Sequence, residues 1–228
     1  MKWAAGAFAA LAFNACGWAQ SATSTQVGST TIVLPAPLHS IDPSHRAPKL
    51  KNLLERSTIA QKRFLAGFVS HEDVEAAEAG RDPELSLYYA AHTWRAAELT
   101  TVSPATFEAT KQIIRDQFKT LAPQTAAVLS QLLESLLEGG ASAQTRVSPV
   151  AVFDETPSSI SVTSINTSVI TSGNTTVNDS VIVSATTMHV RGKYIYLQVC
   201  SDLRRAADVL ENQEASRAWV RAVIAANQ

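Results

Sequence analysis

Apolar positions along the chain recur in two rhythms, every second residue and every third or fourth, and these predict strand-rich ends around a helical middle. The β-branched run Thr30–Leu34, stopped by Pro35 and Pro37, predicts the first strand. Residues 38–50 carry two prolines and mixed charge and read as loop, with a short turn of helix at most. Lys62–Val69, containing Phe64, Leu65, Phe68 and Val69, suits either strand or helix. The punctuation that follows, His71-Glu72-Asp73 and then Gly80, favours a strand leading into a polar loop. Leu85–Trp94, with the sequence LSLYYAAHTW, predicts the next central strand.

Ser103-Pro104 is an N-cap followed by proline at the first helical position, where the missing N–H is tolerated. Phe107, Ile114 and Phe118 then share one face, with Lys111 and Arg115 expected towards other faces. Pro123 opens a second predicted helix that ends at Gly139-Gly140. Its pairs Val128–Leu129, Leu132–Leu133 and Leu136–Leu137 recur every four residues. A stripe this broad must pack against something, either a partner helix or, more simply, one face of a sheet in the same domain.

After Pro149 the composition shifts to Ser, Thr, Asn, Val and Ile. Ile160 and Val162 share one strand face, while Ile165, Thr167 and Val169 have the opposite parity, which predicts a turn or bulge near Ser164. Ser172-Gly173-Asn174 reads as a reverse turn. Val181 and Val183 point one way, Met188 and Val190 the other. Gly192-Lys193 predicts a tight turn before the strand Tyr194–Val199, and Asn212 is a candidate cap for a closing helix. In that helix Trp219 and Val223, and likewise Val220 and Ile224, form an apolar face. The expected class is α+β, an antiparallel or mixed β-sheet flanked by helices, in a single domain over residues 30–228. Residues 141–157 are read as an internal connection, with a two-domain split there as the alternative.

The N-terminus changes this picture. Met1–Lys2 precedes the apolar run WAAGAFAALAF, and small residues follow at Gly17 and Ala19. That order predicts a signal peptide over residues 1–19, with Ala22 as the second choice of cut, a flexible segment at 20–29, and a location in the periplasm or secreted medium. The run is too short for a span of roughly 20 residues, and no later stretch is apolar enough, so no transmembrane segment is expected in the mature chain. Cys16 offers a lipid anchor as an alternative, although Phe13 and Asn14 depart from the usual lipoprotein pattern. With Cys16 removed, Cys200 stands alone, which predicts a buried, inert thiol and no internal disulfide. The charge balance is 19 Lys plus Arg against 20 Asp plus Glu, without the excess that serves many nucleic-acid binders. The basic stretch HRAPKLKNLLER reads as a solvated face.

No motif assigns a catalytic residue, a cofactor or a metal. There is no G-x-S-x-G elbow, phosphate-binding G-x-x-x-x-G-K-[ST] loop, G-x-G-x-x-G fingerprint or H-E-x-x-H helix. His39, Asp42 and His45 could converge on a metal only if a helical turn formed around Pro43. Asp154-Glu155, and Asp202 with Arg204-Arg205, read as solvated ion-pair candidates. The triplets beginning at Asn166, Asn174 and Asn178 match the glycosylation pattern, but their simplest duty is to solvate one face of a sheet.

Two groups of segments, TTIVLPAP with RFLAGFV and VRGKYIYLQV with WVRAVIAAN, resemble parts of a poorly characterised family of exported bacterial proteins. Their arrangement is also similar to the PsbP/Mog1-like fold, which implies a non-enzyme acting through protein interaction or as an accessory factor. The leading expectation is a non-catalytic exported protein that binds another protein or an envelope surface, with Tyr88, Tyr89, Tyr194 and Tyr196 as candidate contacts. One alternative is an envelope hydrolase built on His71, His92 or His189 with a nearby Asp or Ser. Another is a small-ligand-binding protein, which needs a sizeable apolar cavity between the helices and the sheet.

Overall fold

The computed structural model describes residues 21–137 and 141–228. The predicted signal peptide, the Cys16 anchor and the Gly139-Gly140 helix stop therefore lie outside the described residues. The elements run β1 (Ala22–Val27), β2 (Thr30–Pro35), β3 (Ser40–Ile41), α1 (Pro48–Arg56), β4 (Lys62–Ser70), α2 (His71–Glu78), β5 (Leu87–Trp94), α3 (Pro104–Gln117), α4 (Ala122–Leu136), β6 (Ser142–Thr156), β7 (Ser159–Ser172), β8 (Thr175–Val190), β9 (Lys193–Asp202) and α5 (Ala207–Ala226). Seven strands form one sheet in the order β3-β4-β5-β9-β8-β7-β6, and every neighbouring pair is antiparallel. β1 and β2 form a separate hairpin. The class is α+β, as the two rhythms of the sequence require. Among the described residues no helix is long and apolar enough to cross a membrane.

Alternation along the strands assigns the two faces. Phe68, Tyr89, Ala91, Leu197 and Val199 point to one side, where α5 and the β1–β2 hairpin close the main core around Trp219, Val220 and Val223. Val69 and Tyr88 point to the other, where Leu50 and Leu54 of α1 and Val74 of α2 form a second cluster. α3 and α4 cover the remainder of that second face.

Several expectations are corrected. Residues 20–29 hold β1, whose polar residues are stabilised by six register pairs with β2 rather than by burial of their own. His71-Glu72-Asp73 is the first turn of α2, not a loop. Ser70 caps the helix by accepting from the Asp73 N–H at 3.0 Å, and acidic residues suit that end of the helix dipole. Residues 141–157 are not a connection, because β6 occupies nearly all of them at the sheet edge. Pro149 is accommodated there beside a bulge, where an edge strand tolerates the loss of a donor. β7 runs unbroken through Ser164; the register shifts lie on β6, at Pro149/Ala151 and Val152/Asp154. Asn212 lies inside α5, not at its cap, and its side-chain amide donates to the Val199 carbonyl and to Ser201 Oγ.

The Ser/Thr-rich strands also carry a polar ladder inside the core. Ser161, Thr163, Ser184 and Thr186 are buried under α5. Ser161 pairs with Thr186 at 2.8 Å and Thr163 with Ser184 at 2.9 Å, cross-strand neighbours in register. Gln213 and Ser216 of α5 complete the network at 3.2 and 3.3 Å. Each buried hydroxyl has a partner, which is the condition for placing a polar ladder in a core.

Candidate functional site

α3 is fixed at its start by Ser103, whose hydroxyl accepts from the Thr106 N–H, and by Phe107, which is fully buried. The Phe107 ring stacks on His189 at 5.6 Å and tilts against Tyr194 at 6.1 Å. Tyr194 shares a hydroxyl hydrogen bond of 2.6 Å with Thr110. Lys111, expected away from the apolar face, lies one turn beyond Phe107 and is buried, donating to Glu155 Oε1 and to the Thr156 carbonyl at 3.0 Å. Arg115 forks onto the same Glu155 carboxylate. The bonds from Arg115 and then Lys111 hold the Glu155 carboxyl down at about 2.

A group depressed in this way stabilises the fold fully above its ordinary carboxylate range, and that contribution is lost as pH falls towards about 2. Glu155→Gln is expected to destabilise the protein by about 1–3 kcal/mol at neutral pH, because Lys111 and Arg115 lose their shared negative charge and one of its two acceptor oxygens becomes an NH2 donor. It is also expected to flatten the acid limb of stability between pH 4.5 and 2. Urea titrations at pH 7 and pH 3 check both.

α4 is held from the side. Ser130 Oγ accepts from the Thr145 N–H at 2.8 Å and Glu134 Oε1 from the Ala143 N–H at 3.1 Å, which caps outward-facing donors of edge strand β6. Its apolar stripe is only partly buried. Ala122 is the buried residue of this helix, while Leu121 and Val128 remain 42% exposed. Between the helical pair and the sheet lies a cavity of about 690 Å³. Its sheet wall comprises His92 of β5, Tyr196 and Gln198 of β9, Ala185 and Thr187 of β8, and Ile160 and Val162 of β7. Ile114 of α3, Phe118 at its C-cap, and Val128, Leu129 and Leu132 of α4 line the helical side.

One end of the cavity is polar. Lys62, at the start of β4, places Nζ 3.3 Å from the ring centre of Tyr196 and 5.1 Å from that of Trp94. Burial lowers its pKa to about 7. His92, beside it, shares a 3.1 Å hydrogen bond between Nε2 and Thr58 Oγ1, and its Nδ1 is buried without a partner. Burial, and secondarily the charge of Lys62, depress His92 to about 3, so the imidazole is neutral at physiological pH.

The residues singled out in the sequence distribute unevenly around this site. Tyr194 and Tyr196 line the cavity. Tyr89 is buried against Trp219, and Tyr88 joins the α1–α2 cluster, so the four tyrosines do not share one surface. His71 is exposed on α2, His92 lies in the cavity wall, and His189 bonds the Val102 carbonyl at 2.8 Å. Among the described residues none of these three histidines bonds a carboxylate. His39 and His45 are exposed, and Asp42 is engaged with Thr23 and the Ser44 N–H. Among the described residues no group of three or more His, Cys, Asp and Glu is placed to hold a metal. Cys200 is buried, and burial pushes its thiol up to about 11. Lys62 escaped sequence reasoning because its aromatic partners come from two other strands.

No protein-family model matches the sequence, and no curated protein matches it. Two solved structures are similar to the fold: the Saccharomyces cerevisiae Ran-binding protein Mog1p, at TM-score 0.30, and a point mutant of Mog1, at TM-score 0.31. Each is 10% identical, with 91% of this chain and 93% of the other covered. Likenesses at these TM-scores carry no inference about function. The assignment to an exported bacterial family is withdrawn, since no family model matches the sequence. The signal, secreted, periplasmic and cell-envelope description, and the location inferred with it, rested on residues 1–19, which lie outside the described residues, and is withdrawn together with that family.

Proposed function

We propose that this chain is a non-catalytic binding protein whose site is the cavity between the α3–α4 pair and the sheet, and that its occupant is a small, mainly apolar molecule. The observation that carries this reading is the cavity itself. Its volume of about 690 Å³ falls within the range of roughly 300–1,000 Å³ common to small-molecule sites, and aliphatic and aromatic side chains dominate its lining. The half-exposed stripe of α4 supports the same reading, since an apolar occupant gives those side chains the partner that the sheet does not supply. Tyr194 and Tyr196 then act as ligand contacts rather than as an outer surface.

N-Phenyl-1-naphthylamine, a neutral fluorophore that brightens in apolar surroundings, is expected to bind saturably with one site per chain. Ala185→Phe, which puts a ring into the cavity from its sheet wall, is expected to weaken that binding at least tenfold while the far-ultraviolet circular dichroism is retained. Non-saturable fluorescence, or saturable binding indifferent to Ala185→Phe, would exclude the cavity as the site. A protein partner captured with equal affinity by the wild type and Ala185→Phe would return the function to the outer surface.

A further inference from the structure

We propose that the occupant is a carboxylate-headed amphipath, its acid group received by Lys62 and its apolar chain laid between α3–α4 and the sheet. The inference rests on the cavity being the binding site and adds the chemistry of its ligand. Among the described residues that line the cavity, Lys62 is the one lysine, and no aspartate, glutamate or arginine joins it. The buried lysines have oxygen acceptors: Lys111 has Glu155 and Thr156, and Lys193 has the carbonyls of Glu98 and Thr100. Lys62 Nζ has no oxygen acceptor among the described residues and rests on the ring faces of Tyr196 and Trp94.

An ammonium at an apolar cavity is incompletely compensated by aromatic faces, and an anion is its natural complement. A single lysine selects a single charge. Phosphate recognition draws on the forked donors of arginine or several backbone amides, and the lining offers no arginine. The uncharged neighbours fit a carboxylate as well. His92 is neutral, and Thr58 brings a hydroxyl to the same end of the cavity. Titratable groups facing Lys62 are His92 from β5 and Tyr196 from β9, while the cavity-lining residues of α3 and α4 carry no charge. An acid head raises the proton affinity of Lys62, so binding takes up a proton where the free lysine is neutral.

The test is displacement of bound N-phenyl-1-naphthylamine by dodecanoate and by 1-dodecanol, at pH 6.5 and at pH 9, below their aggregation limits. Dodecanoate is expected to displace the dye at a concentration at least tenfold below that of the alcohol at pH 6.5, and the preference is expected to shrink at pH 9. Lys62→Met is expected to abolish the preference while dye binding persists, and Lys62→Arg to keep it at both pH values. Equal displacement by acid and alcohol, or a preference unchanged in Lys62→Met, overturns the inference and leaves the cavity reading intact. Absence of saturable dye binding to the wild type overturns the cavity reading itself, and the inference with it.

Discussion

Trp219→Ala is expected to lower the unfolding free energy by about 3–5 kcal/mol, the range for removing a large aromatic from a core. Trp219 is 1% exposed and lies where α5 meets both the sheet and the β1–β2 hairpin. Its ring meets Phe68 edge-on at 5.9 Å and Tyr89 at 5.4 Å, and its indole N–H donates to the Pro35 carbonyl at 2.9 Å. Truncation therefore opens a void, ends two aromatic contacts and leaves a buried carbonyl without its donor. Trp219→Phe retains much of the volume and loses the hydrogen bond, for an expected cost of about 1–2 kcal/mol. Urea unfolding followed by circular dichroism separates the two variants. A loss below 1 kcal/mol in Trp219→Ala would show that α5 does not close this core.

The second large effect concerns stability against pH. Lys62 has a folded pKa lowered to about 7 from an ordinary value of 10.5. Below pH 7 both folded and unfolded chains carry the charge, and the folded state bears the whole expense of desolvating it. Between about 7 and 10.5 the unfolded chain holds more protons, so wild-type stability is expected to rise with pH across that window. Lys62→Met, similar in length and without charge, is expected to be more stable than the wild type by about 1–3 kcal/mol at pH 6. The gap is expected to close towards pH 10. Urea midpoints at pH 6, 8 and 10 for both proteins give the answer, since other titrations cancel in the difference. A gap constant across the three values would mean that Lys62 is hydrated in the folded protein.

Features set by local chemistry were legible in the sequence. Ser103-Pro104 marks the start of α3 because a cap and a proline act within one turn. The reversals at Ser172-Gly173-Asn174 and around Gly192 follow from glycines that adopt φ of 57° and 78°. The opposed directions of Val183 and Met188 follow from strand parity and agree with their places in β8. β1 and β6 were hidden because both are polar and gain order from pairing, which composition does not report. The burial of Ser161, Thr163, Ser184 and Thr186 was not legible, because their covers, Gln213 and Ser216, come from a helix 30–50 residues away. The cavity was foreshadowed only by the leucine pairs of α4, which called for a partner without saying how incompletely the sheet would provide one.

Ser130 and Glu134 link the position of α4, one wall of the cavity, to the protection of the sheet edge. Their acceptors occupy the N–H groups of Thr145 and Ala143 on a fifteen-residue edge strand. A displacement of α4 that widens the entrance breaks those two bonds and bares donors that another polypeptide can add to, strand on strand. On the proposed function, ligand entry past α4 and exposure of this strand edge would share that one displacement. An occupant that held α4 against β6 would then guard the edge against strand addition.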